Sequence, residues 1–582
     1  MSNMQNFKKS LLTTLLSVSV VASVATLSGC SKPTSVENQA GAVTTDYLNR
    51  DVRDDVFYFV MPDRFENGDT SNDMGSKTIE ISSGGFDPTS NGHYHGGDLP
   101  GLINKLDYLK GMGITAIWLT PIMRNQAVQG DSSGYHGYWT LDFTEIDPHL
   151  GTNADLKNLI DTAHSKGIKI FFDIITNHTA DVIKYEECHR EATKQFSTSE
   201  QLCPYVSLAD KAAGKGYTPY VNQDEKNLKT PAWLNDPKYY NNQGDSTWQG
   251  ENSIYGDFMG LDDLNTKDPE VIQGFIDIYN NIIRKFKPDG FRIDTVKHVD
   301  MVFWQQFTPA IIDFANEQGI PNFFVFGEVY SEDARQLSRF TTDGKIPSVL
   351  DFHLQLAVKN VFGRGKATSE LNDLFELDHL YNDEDSSADY LMNFVSNHDM
   401  GRFAYYMREA FPDASEQEQL ARVKLANAFM FFARGIPVIY YGEEQGFVGE
   451  GGDKGARENM KPSKVEQYNR IDLLGTDKTT ADDNFDQTHP LYIAFKEFAD
   501  VYQAYPELRR GEQQVLSYGN EAGVFALSRT LDDEQSIVIF NSSTEAQSVS
   551  DIDLGGKKVV FGELNGDGNV KSIAGLSFVI LK

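Results

Sequence analysis

Along residues 56–440, eight short stretches are apolar almost without interruption: 56–61, 114–119, 168–173, 290–294, 323–328, 348–352, 391–396 and 436–440. A strand with one wet face alternates polar and apolar residues, so unbroken runs belong to strands covered on both faces. Between them lie longer stretches with apolar residues at helical spacing, at 99–110, 154–166, 269–286 and 416–433. Buried strands separated by helices predict an α/β fold with a parallel sheet. Eight of them is the count that closes a (β/α)8 TIM barrel, with a doubly wound open sheet as the alternative.

Departures from this alternation divide the chain. The third and fourth strands are widely separated, and the polar, aromatic segment 179–265 reads as a subdomain inserted after strand 3 of a barrel formed by 51–178 and 266–508. From 509 onward, short alternating strands at 524–528, 536–541 and 576–581 predict a C-terminal all-β sandwich domain, 509–582. At the other end, Lys8 and Lys9 precede an uncharged apolar stretch, 11–27, and Leu27-Ser28-Gly29-Cys30 places a cysteine after small residues. The pattern resembles a bacterial lipoprotein signal peptide, 1–29, cut so that Cys30 carries lipid; an uncleaved membrane anchor is the alternative. Residues 30–50, rich in Ser, Thr, Asn and Gln, are expected to act as a tether. Ser31 in place of Asp favours the outer membrane of a bacterial cell envelope, with the body on its periplasmic or extracellular face.

That compartment bears on the two remaining cysteines. Cys188 and Cys203 sit in no metal-ligand or redox spacing. In an oxidising envelope they are expected to close a loop of about 15 residues, worth roughly 3 kcal/mol, with two free thiols as the alternative. The chain carries 84 acidic against 52 basic residues, a net charge of −32. Such a surface repels nucleic acid and is indifferent to a neutral substrate.

The chemistry gathers where predicted strands end: Asp173 with Asn177 and His178, Arg292 and Asp294 with Lys297 and His298, Glu328, and Asn397-His398-Asp399. A parallel barrel brings the C-terminal ends of its strands to one mouth, so these groups are expected in one pocket. A single Asp ending a strand is more often a helix cap than a catalyst. Four such segments in order are not explained by capping.

Together with Asp63-Arg64-Phe65, the run starting at His95 and Asp98, Tyr135-His136-Gly137-Tyr138-Trp139, Leu261-Asp262-Asp263-Leu264-Asn265 and 435–442, these segments resemble the ordered motifs of the α-amylase family, glycoside hydrolase family 13, over residues 55–460. The resemblance implies a retaining hydrolase of internal α-1,4 bonds in starch, glycogen or maltodextrin, and a monomer is expected. Its oxocarbenium-like transition state needs negative charge beneath the sugar and a proton on the leaving oxygen. By resemblance Asp294 is the nucleophile, Glu328 the acid and base, and Asp399 the third acid, gripping sugar hydroxyls. Arg292, on the same strand face as Asp294, favours its ionised form, while neighbouring carboxylates push Glu328 upward. His136, His178 and His398 match hydrogen-bond donors to the sugar, Tyr138 the platform beneath it, Lys297 and His298 the leaving-group side, and Asp453 and Arg457 positions further up the cleft.

The family resemblance also implies calcium, held by Asn177, Asp263 and the main-chain oxygen of His298. A second cluster, Asn67, Asp69, Asn72, Asp73, Gly96 and Asp98, resembles a calcium loop of cyclodextrin glycosyltransferases, metal-free Asx turns being the alternative. Those transglycosylases, with maltogenic amylases, are the rival reading of the activity, and a non-catalytic glucan-binding lipoprotein is a third. Transglycosylases of that kind place an aromatic residue where this chain has Met259, and they carry further starch-binding domains. Both differences favour hydrolysis, although Tyr330 matches an acceptor-side aromatic.

Overall fold

All eight apolar runs form strands of one parallel sheet: β1 Phe57–Val60, β2 Ala116–Leu119, β3 Lys169–Ile174, β4 Gly290–Ile293, β5 Phe324–Gly327, β6 Ser348–Val349, β7 Met392–Asn393 and β8 Ile436–Tyr440. The structure, a computed structural model, describes residues 45–76, 82–189, 203–566 and 570–582, so the expected signal peptide and lipid-bearing Cys30 lie outside the described residues. The sheet runs β6-β5-β4-β3-β2-β1-β8-β7, and a parallel bridge from Leu350 to Met392 joins its two edges into a barrel. Every residue of these strands is buried, which is why their sequences do not alternate. Inside the barrel, Phe59 stacks on Trp118 at 3.7 Å, Phe57 meets Phe171 at 4.7 Å, and Trp118 meets Phe326 edge-on at 5.4 Å. This aromatic packing fills the space beneath the polar mouth.

Helices wrap the sheet. α1 Asn153–Ser165 opens with a reciprocal capping box between Thr152 and Asp155. α2 Pro269–Phe286 has Asp268 as its N-cap and Pro269 in its first turn, where no amide hydrogen is needed. α3 Met301–Glu317 and α4 Glu416–Phe432 are two further long helices. Two expectations are corrected. The stretch 99–110 breaks into Leu99–Asn104 and Leu106–Gly111, with Lys105 at the break pairing with Glu66 at 2.9 Å. The run 348–352 gives only a two-residue strand because Asp351 accepts from the Leu354 amide and caps a helix, Phe352–Arg364, that takes the remaining apolar residue.

After β3 the chain leaves the barrel and returns before α2, and the two ends of this excursion pair antiparallel, His178–Thr179 against Asp262–Asp263. Within it Cys188 and Cys203 are bonded, their Cα atoms 6.0 Å apart. The C-terminal sheet is antiparallel, with β9 Glu512–Ser517, β10 Val524–Leu531, β11 Glu534–Asn541, β12 Val559–Phe561 and β13 Ser577–Leu581 in the order β9-β10-β11-β13-β12. Its alternation is two-sided. Phe525, Leu527, Val538, Phe540 and Ile580 join the main core, while Ala526, Ile537, Ile539, Val579 and Leu581 pack under a small second sheet of Gln547–Ser548 and Ser572–Ile573.

Candidate active site

Because the barrel strands are parallel, Asp173, Arg292, Asp294 and Glu328 reach the same end of it. Arg292 pairs in register with Asp173 on β3 and with Phe326 on β5. Its guanidinium, 1% exposed, donates from Nη1 to Asp173 at 2.7 Å and to Asp294 at 2.9 Å, and its Nη2 lies 3.0 Å from Glu328 Oε2. One buried cation thus holds three carboxylates, and two of them line a cleft of about 690 Å³. The chain reaches Glu328 by an unusual turn. Thr295 adopts a left-handed conformation at φ 45°, and its amide donates to Glu328 Oε2 at 3.1 Å. A β-branched residue there is strained, and the strain aims a backbone donor at the acid.

Burial pushes the Glu328 carboxyl up to about 7, Arg292 opposing and the charges of Asp294 and Asp399 adding to it. Burial also raises Asp294, against Arg292 and the Thr295 contact. Arg292 does favour the ionised form of Asp294, as expected, but its charge is divided among three acids. Asp399 differs: its side chain is 40% exposed, and against the pull of burial His398 and Arg457 hold its carboxyl below the ordinary range.

The other expected residues fall into two groups. His136, His178, Tyr138, Lys297, His298, Asp453 and Arg457 line the cleft, whereas Arg292 and His398 stand behind its wall. Gly137, at φ 89°, sets the turn that presents His136 and Tyr138, since a Cβ there would lie 2.0 Å from the Pro121 carbonyl oxygen. His136 Nδ1 accepts the Tyr138 amide at 3.1 Å, which leaves Nε2 to carry the proton, and burial keeps the ring neutral. His178 differs from expectation, with Nε2 bonded to the Tyr138 carbonyl at 3.2 Å and Nδ1 3.3 Å from the Asn177 amide. His398 Nε2 is likewise held, 2.7 Å from the Tyr138 hydroxyl. Among the described residues His136 Nε2 has no protein partner and faces the cleft, whereas the unbonded Nδ1 of His398 is buried behind the wall.

His298 donates from Nδ1 to the Ser253 carbonyl at 2.6 Å, fixing its tautomer and tying the insertion to the cleft. Lys297 donates to the Tyr330 carbonyl at 2.7 Å. Arg457 lines the cleft where it was expected, but its hydrogen bonds go to the protein. It is spent within the protein, donating to the His398 carbonyl, the Tyr135 hydroxyl and Asp399 at 2.9, 3.0 and 3.0 Å, with exposed Asp453 3.5 Å away. It clamps Asp399.

Asp173, expected in the shared pocket, instead lies beneath it, and sequence reasoning gave no separate role to it or to Tyr135, Trp248 or Phe258. Asp173 accepts from Arg292, from the Trp118 indole and from the Tyr138 hydroxyl, so it anchors both the cation and the platform. The signal was its place at the end of β3 next to β4. Trp248 and Phe258, 4.6 Å apart, form an aromatic wall against His298 and His178.

Chain residues 59–485 match the model of the α-amylase catalytic domain. The chain belongs to the α-amylase family of glycoside hydrolases. This amylase domain is 47% identical, over 77% of the chain and 50% of the relative, to an α-amylase of Streptomyces lividans. It is 27% identical, over 86% of the chain and 63% of the relative, to a cyclomaltodextrin glucanotransferase of Thermoanaerobacterium thermosulfurigenes. The chain thus spans about half the length of the first relative and under two thirds of the second. Among solved structures, it superposes on an α-amylase of Geobacillus thermoleovorans complexed with acarbose (TM-score 0.64, 28% identity, 91% of this chain and 98% of that one). It also superposes on CldA, described as a cyclomaltodextrin glucanotransferase with a three-domain distribution (TM-score 0.68, 26% identity, 90% and 98%). The second match removes one expectation: a short domain complement does not separate hydrolase from transglycosylase in this family.

Two sets of oxygens suit a hard cation. Asn177 Oδ1 is buried with no hydrogen-bond partner, and the buried Asp263 carboxyl, raised by burial, accepts from Asn241 at 2.7 Å but makes no ion pair among the described residues. An unbonded amide oxygen and an unneutralised carboxylate are what a calcium ligand set looks like from the protein side. In the second cluster Asn67 Oδ1 and Asn72 Oδ1 are also buried and unpartnered, beside Asp73, and a Cβ on Gly96 would meet Asp73 at 2.5 Å. Asp98 is more committed than expected. It accepts from the amides of Gly68, Asp69 and Gly101 and from Asn72, while Asp69 is exposed and bonds the Ser71 amide.

Proposed function

We propose that this amylase-family enzyme is a retaining hydrolase of internal α-1,4 bonds in starch, glycogen or maltodextrin. The observation that carries the reading is the shared guanidinium of Arg292, which holds Asp294 and Glu328 together at the cleft floor while Glu328 remains protonated to about pH 7. Asp294 attacks the anomeric carbon, and Glu328 passes its proton to the leaving oxygen and then takes one from water. Asp399, clamped by Arg457, grips sugar hydroxyls. Asn177 and Asp263 would hold a calcium ion joining the insertion to the barrel, with the cluster around Asn67, Asn72 and Asp73 as a second site; the ion supplies charge that fixes these oxygens. We further propose that the chain is a monomer tethered to a bacterial envelope through lipid on Cys30.

Transfer rather than hydrolysis is the second reading, supported by Tyr330, 54% exposed beside Lys297. Against it stands Met259, 72% exposed in the cleft where an aromatic guide would be needed. Product analysis on soluble starch separates the two, linear oligosaccharides supporting hydrolysis and cyclic products transfer. Asp294→Asn is expected to lower reducing-end release by about 10⁴-fold; equal rates for variant and wild type would end the enzymatic reading.

A further inference from the structure

A second concavity, of about 660 Å³, shares no residue with the cleft. It lies between the segment Pro231–Tyr239 of the insertion and the outer face of α2. Its wall is Trp233. The six-membered ring of this indole rests on Gly274, where a Cβ would come within 2.5 Å of it, and it meets Tyr239 edge-on at 5.3 Å and Phe275 at 5.8 Å. The helix therefore braces the ring at a position that has room only for glycine, and Trp233 and Tyr239 both stay half-buried rather than covered.

The opposite side is polar. Glu270, Gln273, Asp277 and Asn281 follow one another along successive turns of α2, all four exposed. The Tyr239 hydroxyl donates to Glu270 at 2.6 Å and Gln273 donates to Asp277 at 2.9 Å, so the ladder is ordered by its own contacts. From Glu270 to Asn281 it extends about 16 Å at the helical rise, the length of an oligosaccharide rather than a single sugar. Among the described residues that line the groove there are two carboxylates and no Lys or Arg, and neighbouring Lys238 lies over the Tyr239 ring 3.7 Å from Glu270, which it offsets. That balance disfavours an anionic ligand. A flat aromatic face beside a row of carboxylate and amide groups suits instead a neutral ring with hydroxyls around its edge.

We propose that this groove is a second binding site for α-glucan, holding a polymer chain on the flank of the barrel while the cleft cuts. The proposal rests on the α-glucan reading of the cleft for the identity of its ligand. Affinity electrophoresis through amylopectin tests it, using the full chain with Glu328→Gln so that the polymer is not digested, and dextran as the control gel. Added to that background, Trp233→Ala is expected to weaken retardation by amylopectin at least fivefold. Gln273→Ala/Asn281→Ala, confined to exposed side chains, is expected to weaken it in the same direction without loss of fold. With Glu328 intact, both groove variants should cleave maltoheptaose within twofold of wild type. Unchanged retardation in the double variant and in Trp233→Ala overturns the site. A parallel fall in maltoheptaose cleavage also overturns it, because it assigns the effect to the barrel. Groove-dependent retardation in a protein whose wild type cleaves no maltoheptaose would retain the groove and reject the hydrolase reading.

Discussion

A single guanidinium decides the chemistry of the cleft. Arg292 must balance Asp173, Asp294 and Glu328, and one positive charge cannot hold three buried carboxylates ionised. Burial lifts two of them, Asp173 to about 8 and Glu328 to about 7. Asp173, however, accepts from Arg292, the Trp118 indole and the Tyr138 hydroxyl, three donors that favour its ionised form, so Glu328, which faces the cleft, is left to carry the transferable proton. The sign follows directly: the acid works only while protonated, so kcat/KM should fall as pH rises through about 7, and a flat profile from pH 6 to 9 would contradict it. Arg457 permits a cleaner test because it touches no reacting carboxylate other than Asp399. Arg457→Lys keeps the charge but loses the fork that grips Asp399, the Tyr135 hydroxyl and the His398 carbonyl. A drop in kcat of roughly 10–10² with KM within a few-fold is expected, since a misplaced transition-state contact costs rate more than binding. That Asp294, Glu328 and Asp399 meet at one cleft was legible in the chain because their motifs are local. The roles of Asp173 and Arg457 were not, because each depends on which strand or loop lies beside it, and a sequence does not print register.

At the scale of elements, close packing between neighbouring strands carries these residues. Gly290 starts β4, and a Cβ there would lie 2.0 Å from the Phe324 carbonyl oxygen and 2.3 Å from the Phe171 ring. Gly290→Ala must therefore separate β4 from both neighbours and displace Arg292 and Asp294 with it. A loss of roughly 3 kcal/mol in thermal or urea unfolding is expected, with activity falling more than stability at low temperature; an Ala variant as stable and active as wild type would show that β4 has slack. All eight strands were readable from hydrophobicity alone because full burial leaves an unbroken apolar run. Their ends were less so. The run 348–352 hides a helix cap at Asp351, and the stretch 99–110 hides a break at Lys105, since local apolar spacing is the same on either side of each.

Over the whole molecule, the open question is what joins the insertion to the barrel. His178–Thr179 and Asp262–Asp263 pair at its neck, yet the neck also contains, among the described residues, an unpartnered Asn177 oxygen and a buried Asp263 without a counter-charge. The lone Asn177 oxygen costs about 1–3 kcal/mol, and Asp263, whose one side-chain donor is Asn241, is pushed by burial toward its protonated form. A calcium ion at this place would neutralise Asp263, bond the amide oxygen and lock the insertion, together with Ser253, His298 and the Trp248–Phe258 wall, over the cleft. Because the ion binds only the folded chain, its removal must lower stability by RT ln(1 + [Ca²⁺]/Kd), about 2.7 kcal/mol at a hundredfold excess over Kd. Dialysis against a chelator should thus lower Tm by a few degrees and reduce activity, and micromolar to millimolar calcium should restore both. Asn177→Ala is expected to start from the lower Tm and to lose most of its response. Should chelation leave Tm and rate untouched while Asn177→Ala still destabilises, the neck is held by its hydrogen bonds alone, and the lone oxygen of Asn177 needs another explanation.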